Sequence, residues 1–575
     1  MKHLFTTPLI LLVVTRSVLA QPTPDLYHQT SDVHHLLTQY EADWGSLSRF
    51  YTIENSPERR ERLKTFFSDY VRQLQQLDFD RMSTDSRVDY LLFQRNLKNE
   101  LLELANEEKE VKQIQSWFPF ADKIYALEKQ RRRGLPLVAE QVAAELNAIG
   151  REIVAARQVA EKAEKPDPAV ARRAEGTAKG LQAALKSVFM FYNAYDPQFS
   201  WWVPEPYRQT DSLLTTYMVL LGKKVREAAP TKDDGSGIAG IAVGREELLR
   251  QLAYEMIPYS PEDLIDIANR EFAWCDRELL KASKEMGFGT DWKAAQEKVK
   301  NTTVPAGKQP ELILRLYNES VAFLKQKDLI TIPPIAEETW RMQMMSPARQ
   351  KVSPFFLGGE TILISYPTST MSHEDKLMSM RGNNPHFSRS TVHHELIAGH
   401  HLQGFMNNRY KTYRHFDTPF WTEGWALYWE MILWDLGFPQ SPEDRIGMLF
   451  WRMHRCARII FSLNYHLGKW SPQQCIDFLV DRVGHERANA EGEVRRSFVG
   501  GYPPLYQLAY MTGGFQFYGL KKELVDSKKM TYKQFHDAIL QLNAMPVEMI
   551  RAILTNQKLS RDFKTSWRFY EKEGK

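Results

Sequence analysis

The chain has 575 residues, enough for a large buried core and roughly two to four domain-sized units. Its 75 basic and 71 acidic residues nearly balance, with no long run of one sign, which argues against nucleic acid or an anionic membrane as the main partner. Aromatic residues make up 12%, a composition that fits a large folded enzyme rather than a disordered or fibrous chain.

The first twenty residues read as a secretory signal. Lys2 and His3 give a basic start, Leu9 to Val14 an apolar run, and Val18-Leu19-Ala20 small residues at a cleavage point before Gln21. The run is too short to span a bilayer, and no cysteine follows it to carry a lipid. The expectation is an exported protein, periplasmic or secreted, without stable membrane insertion. Cys275, Cys456 and Cys475 cannot all pair and form no disulfide framework.

Residues 21–230 read as an N-terminal helical region. Ser86 to Gln115 spaces Tyr90, Leu91, Leu97, Leu101 and Leu104 at helical intervals. Leu135 to Lys165 and Ala171 to Tyr192 predict two more helices, separated by Pro166 and Pro168. The charge runs at Glu107–Glu110 and Arg131–Arg133 read as solvated faces and turns. Thr231 to Gly244 is glycine-rich and predicts a long loop or small hairpin. It opens a second region, 231–575, that holds the chemistry and joins the first in one integrated fold. Arg245 to Met256 predicts a helix, and Ser260-Pro261 caps the next. Thr361 to Tyr366 is β-branched and of strand length; a substrate-binding edge strand and a structural hairpin both fit it.

Thr391 to Met406 (TVHHELIAGHHLQGFM) carries the strongest chemical signal. Four of the 15 histidines fall within nine residues, around Glu395. Imidazole nitrogens and carboxylate oxygens are zinc ligands, and a glutamate beside them can act as the base that activates water. The spacing departs from HExxH, whose histidines lie four apart on one helix face. Four residues after His394 comes Ala398, which cannot ligate; His400 is the next candidate. On an unbroken helix it would sit on another face, roughly 9 Å along the axis. A metal site therefore requires an interruption, and Gly399 lies where one is needed. Further on, Glu423 and Glu430 are seven residues apart, on one helix face among apolar neighbours. Buried carboxylates need a partner or a metal.

HHELIAGHHLQ, TEGWALYWE, the stretch from Arg458 through His466 to Ser471, GYPPLYQLAYMTGG and FHDAILQLNAMPVEMI occur in this order. Together they resemble the bacterial domain of unknown function 885, whose members look like mostly helical zinc peptidases. The resemblance extends to angiotensin-converting enzyme, thimet oligopeptidase and the thermostable carboxypeptidases. It implies a mostly α fold, large and two-lobed, with a deep cleft and a small β-element near the active site. The chain departs from the family pattern in having Ala398 for a proline before Gly399, Ser462 for an acid, and Tyr506 for a glutamine.

The resemblance implies His394, His400 and Glu423 as ligands of one zinc ion per chain, with His393 and His401 as alternatives to His400. Glu395 would be the general base. Tyr510 and His466, with Tyr502 behind them, would stabilise the oxyanion, and His401 and Glu430 would orient ligands. Arg458 or Arg496 would hold a substrate carboxylate or a structural ion pair. The reading is an exported zinc peptidase acting on short peptides. Its rivals are a non-catalytic helical binding or scaffold protein and a metal hydrolase of a non-peptide amide or ester.

Overall fold

The computed structural model describes residues 31–228, 234–350, 355 and 357–570; the expected signal segment and residues 231–233 lie outside them. The fold is all-α, with two short strands. Eleven helices matter here: α1 (Thr84–Ile114), α2 (Ala139–Lys162), α3 (Pro168–Tyr192), α4 (Pro204–Ala228), α5 (Pro261–Glu285), α6 (Pro385–Glu395), α7 (His400–Asn407), α8 (Pro419–Asp435), α9 (Pro442–His466), α10 (Arg487–Phe498) and α11 (Tyr506–Lys521).

One local device sets many of the starts. Asp167, Ser260, Asn384, Thr418 and Ser441 each accept a backbone N–H from the first turn and are followed by proline. The side chain satisfies a donor that the helix leaves open, and proline brings a preset φ where no N–H is missed. Ser260 and Asp263 complete a capping box at α5. The expected loop after residue 230 is non-helical from 234 to 244, and the helix behind it runs Arg245–Tyr254.

Buried apolar side chains fall into three clusters. Ile53 and residues between Ile114 and Leu221, largely on α2, α3 and α4, form one. A second joins Val33 to Leu104 with side chains from Leu312 to Leu559, and a third centres on α5 and α9. Residues 33–104 thus share a core with the histidine helices, so packing does not divide at residue 230. The Arg414 guanidinium reinforces this join: it donates to Asp89 of α1 at 2.7 Å, with both side chains fully buried.

The charge runs are less solvated than their composition suggests. Glu107 is buried and meets Arg60 at 3.0 Å, and Arg132 lies between Glu58 and Glu128. Only part of each run faces water, because a helix turns its successive residues through about 100°.

α8 is the central helix. Trp421, Trp425, Tyr428 and Trp429 share one face of it and Phe420, Leu427 and Met431 lie on the opposite one; all are buried, so the helix is covered on both sides. Against it lies α11, at a separation only glycine permits: a Cβ on Gly424 would stand 2.5 Å from Gly513 Cα. This backbone contact carries the tyrosines of α11 to the carboxylates of α8.

Strands β1 (Arg341–Met344) and β2 (Thr361–Ile364) pair in parallel, with Arg341 opposite Thr361. On the other side of β2, Leu357 and Leu363 exchange both backbone hydrogen bonds. At Leu363, β2 is therefore covered on both sides and is not an open edge. The backbone beside the histidines is instead the strip 357–359: Gly359 N–H donates to the Glu395 carbonyl at 3.2 Å.

A candidate metal centre

The required interruption is present. α6 ends at Glu395 and α7 begins at His400, with residues 396–399 outside either helix. Gly399 makes the bend compact. Its N–H donates to the His393 carbonyl at 2.9 Å, and a Cβ there would lie 2.7 Å from that oxygen and closer still to the His394 carbonyl. The offset between helices lets His394 and His400 face one another across 4.8 Å between ring centroids.

Glu423, from the first turns of α8, closes the group. Its Oε2 is 3.7 Å from His394 Nε2 and 3.3 Å from His400 Nε2, and one candidate ligand atom from each residue lies within 4.8 Å of the others. Tetrahedral coordination at about 2.0–2.1 Å spaces ligand atoms by about 3.4 Å, so a slight contraction suffices. Glu423 Oε2 is buried and has no hydrogen bond from the protein. The donor set of two imidazoles and a carboxylate is that of an open zinc site.

Neighbours fix each of the three side chains. His394 Nδ1 sits 2.7 Å from Glu430 Oε1, two turns beyond Glu423 on α8, and Arg455 approaches the same oxygen at 3.3 Å. His400 Nδ1 is 3.1 Å from Gln403 Oε1, and Tyr506 donates its hydroxyl to Glu423 Oε1 at 2.6 Å. Such contacts orient ligands and tune their basicity. Burial opposes charge on His394, yet contact with Glu423 and Glu430 raises it to about 9. Burial would likewise raise Glu423, but His400 and His394 hold it well below the carboxylate range. A cation held by this group would have to displace protons from it.

The group opens on a cavity of about 210 Å³, also lined by Glu395, Thr391, Leu357, Gly358, Trp451, three tyrosines and three arginines. Glu395 is half-buried and its carboxyl is raised by desolvation. The backbone of Gly358 lies flat against it, where any side chain would collide. Tyr510 stacks with His394 at 6.2 Å, and Tyr502 packs on Tyr506 at 4.4 Å. Tyr506 and Tyr510 lie four residues apart and so share one face at the start of α11, while Tyr502 precedes the helix. That spacing was the available signal for Tyr506; Gln403 and Gly358 had no comparable one.

Three expectations are corrected. His401 turns away from the cavity and its Nε2 meets the Ala336 carbonyl at 2.7 Å, one residue's rotation placing it on the far side of α7. His393 is fully buried, edge-on to Phe438, and stands apart from the converging group of His394, His400 and Glu423. His466 lies about 12 Å beyond Arg458 along α9 and packs against Tyr465 and Phe498 outside the cavity.

His466 has a different physical consequence. Neither ring nitrogen has a hydrogen-bond partner, and burial pushes its pKa down to about 4. Between that value and the ordinary 6.5, the unfolded chain binds a proton that the folded chain refuses, so stability falls as pH falls. At pH 5.5 the cost is about 1.4 kcal/mol. Urea unfolding at pH 7.5 and 5.5 should show His466→Phe losing less stability than wild type on acidification, by about 1 kcal/mol. Equal losses would show that His466 is accessible to protons in the fold.

A helical fold with a two-histidine, one-glutamate group on the wall of a cavity defines the class of protein. The family model described as "Bacterial protein of unknown function (DUF885)" matches residues 51–554, and the chain belongs to that family. Two solved structures share the fold. One, from Shewanella oneidensis and named "a putative lipoprotein of unknown function", is 17% identical with a TM-score of 0.65, covering 92% of this chain and 100% of its own. The other, a "putative lipoprotein" from Colwellia psychrerythraea, is 14% identical with a TM-score of 0.55, covering 91% and 97%. No curated protein matches the chain.

Proposed function

We propose that the chain is a zinc-dependent peptidase that hydrolyses short peptides outside the cytoplasm. The observation that carries this reading is the convergence of His394, His400 and Glu423 within 4.8 Å, in a cavity that also holds Glu395. His394, His400 and Glu423 would hold the ion, which when bound supplies a Lewis acid for water and a carbonyl oxygen. Glu430 keeps the His394 ring in place, and Tyr506 does the same for Glu423.

Glu395 takes the proton of the attacking water and returns it to the leaving amine, a role suited to a carboxyl whose proton affinity burial has raised. Tyr510 keeps its proton, because burial holds the phenol above its ordinary range, and so can donate to the developing oxyanion. A cavity of about 210 Å³ suits a short segment of chain better than a folded protein. The apolar start of the sequence and the likeness to proteins carrying a lipoprotein name support export. Among the described residues, no helix is long and apolar enough to cross a membrane.

The test is metal content per chain after purification without chelator, for wild type, His394→Ala and Glu423→Ala, followed by a peptide panel. Wild type should hold about one zinc ion. Both variants should lose it, and turnover should track zinc. Metal indifferent to both substitutions would sink the ligand assignment. Zinc without turnover of any peptide would favour a binding protein.

A further inference from the structure

The cavity wall facing the histidines carries more positive charge than its own carboxylates neutralise. Arg455, Arg458 and Arg496 all line it. Only two buried carboxylates answer them. Glu493 accepts from Arg458 Nε at 2.7 Å, pairs with Arg496, and also accepts from Gln507 at 2.9 Å. Glu430 meets Arg455 but is shared with His394. Each guanidinium is left with a buried N–H that has no partner: Nε of Arg455, Nη1 of Arg458 and Nε of Arg496. Arg455 and Arg458 are themselves nine-tenths or more buried.

The other two acids of the site, Glu395 and Glu423, do not change this balance once a divalent cation is held. Buried guanidinium groups with open donors are costly unless an anion completes them. Arginine offers a planar fork that matches a carboxylate.

We infer that this cavity binds the free α-carboxylate of its substrate between Arg458 and Arg496, so that the chain trims peptides from the carboxyl end. The inference rests on the peptidase reading for what is cut, and on the arginines for which end is held. Arg455 and Arg458 lie over the Tyr510 ring at 4.8 and 4.3 Å, and Tyr510 in turn stacks on His394. One tyrosine ring thus separates the anion site from the ligand histidine. Extended chain advances about 3.5 Å per residue, so one or two residues bridge a held carboxylate and a reacting carbonyl. Arg496 stacks over Tyr502 at 5.6 Å and stands at the rim, where a second cavity of about 570 Å³ shares these two residues.

The experiment compares a ketomethylene dipeptide isostere, which cannot be hydrolysed, as its free acid and as its primary amide. Both have neutral side chains and both are titrated calorimetrically into the zinc-loaded wild type. The acid should bind about tenfold tighter or more, as expected when a charged hydrogen-bonded pair is gained. Arg496→Gln, which leaves the Arg458–Glu493 pair in place, should reduce the preference to about threefold or less without weakening the amide. Arg458→Lys serves as the second variant, since it keeps a cation beside Glu493 and removes only the fork. Unchanged thermal unfolding qualifies either variant.

Equal binding of acid and amide overturns the carboxylate site. So does a preference that survives both arginine changes, because the acid would then sit on the metal. Turnover of a matched peptide and its amide separates the two ideas. Cleavage of both alike keeps the peptidase and rejects the end specificity. Arginine-dependent acid binding without any cleavage keeps the anion site and rejects the peptidase.

Discussion

Glu395→Gln should leave the zinc content and the fold unchanged and cut peptide turnover by about 100- to 10,000-fold. The amide has the shape of the carboxylic acid and can fill the same space against Gly358, so packing is conserved. Glutamine cannot accept the proton of an attacking water, and it is not one of the three converging ligands. The loss should therefore appear in kcat, with little change in KM, because the missing interaction belongs to the transition state. His394→Ala gives the contrasting pattern, in which activity and metal disappear together. Turnover of Glu395→Gln within threefold of wild type, at full zinc occupancy, would mean that another group moves the proton. Tyr510 and Tyr506 would then be the nearest candidates in the cavity.

Local chemistry was the most legible part of the fold. Cap-proline pairs such as Ser260-Pro261 mark helix starts by rules that involve only neighbours, and the structure has them. The same holds for the break between α6 and α7, which the His394–His400 spacing demanded and Gly399 located. What depends on distant packing was not legible. Whether Glu107 faces water or Arg60 is decided by another helix some fifty residues earlier. The direction of His401 is decided by the Ala336 carbonyl, and the placing of Tyr506 against Glu423 by contact between Gly424 and Gly513. The sequence marked Tyr506 only as a departure from the family pattern. In the fold that residue supplies the hydrogen bond to a proposed ligand.

Gly399→Ala should abolish high-affinity zinc binding while the helical content stays near that of wild type. The Cβ has nowhere to go: it would overlap the carbonyl oxygens of His393 and His394, both backbone atoms of the turn that carries a ligand. Relief requires α6 and α7 to separate, and that motion drives the His394 and His400 rings apart. Ligands that already need an inward contraction to reach bonding distance have no slack to absorb that displacement. Overpacking of this kind also costs about 1–3 kcal/mol in stability. Gly404→Ala, one turn further along α7, is the control. Nothing lies within 4 Å of its Cβ position, so that variant should keep its zinc and gain about 1 kcal/mol from helix propensity. Zinc content and urea unfolding of the two variants decide the matter. A Gly399→Ala protein with full zinc would show that the bend can relax without moving the histidines, and the glycine would then serve only the path of the chain.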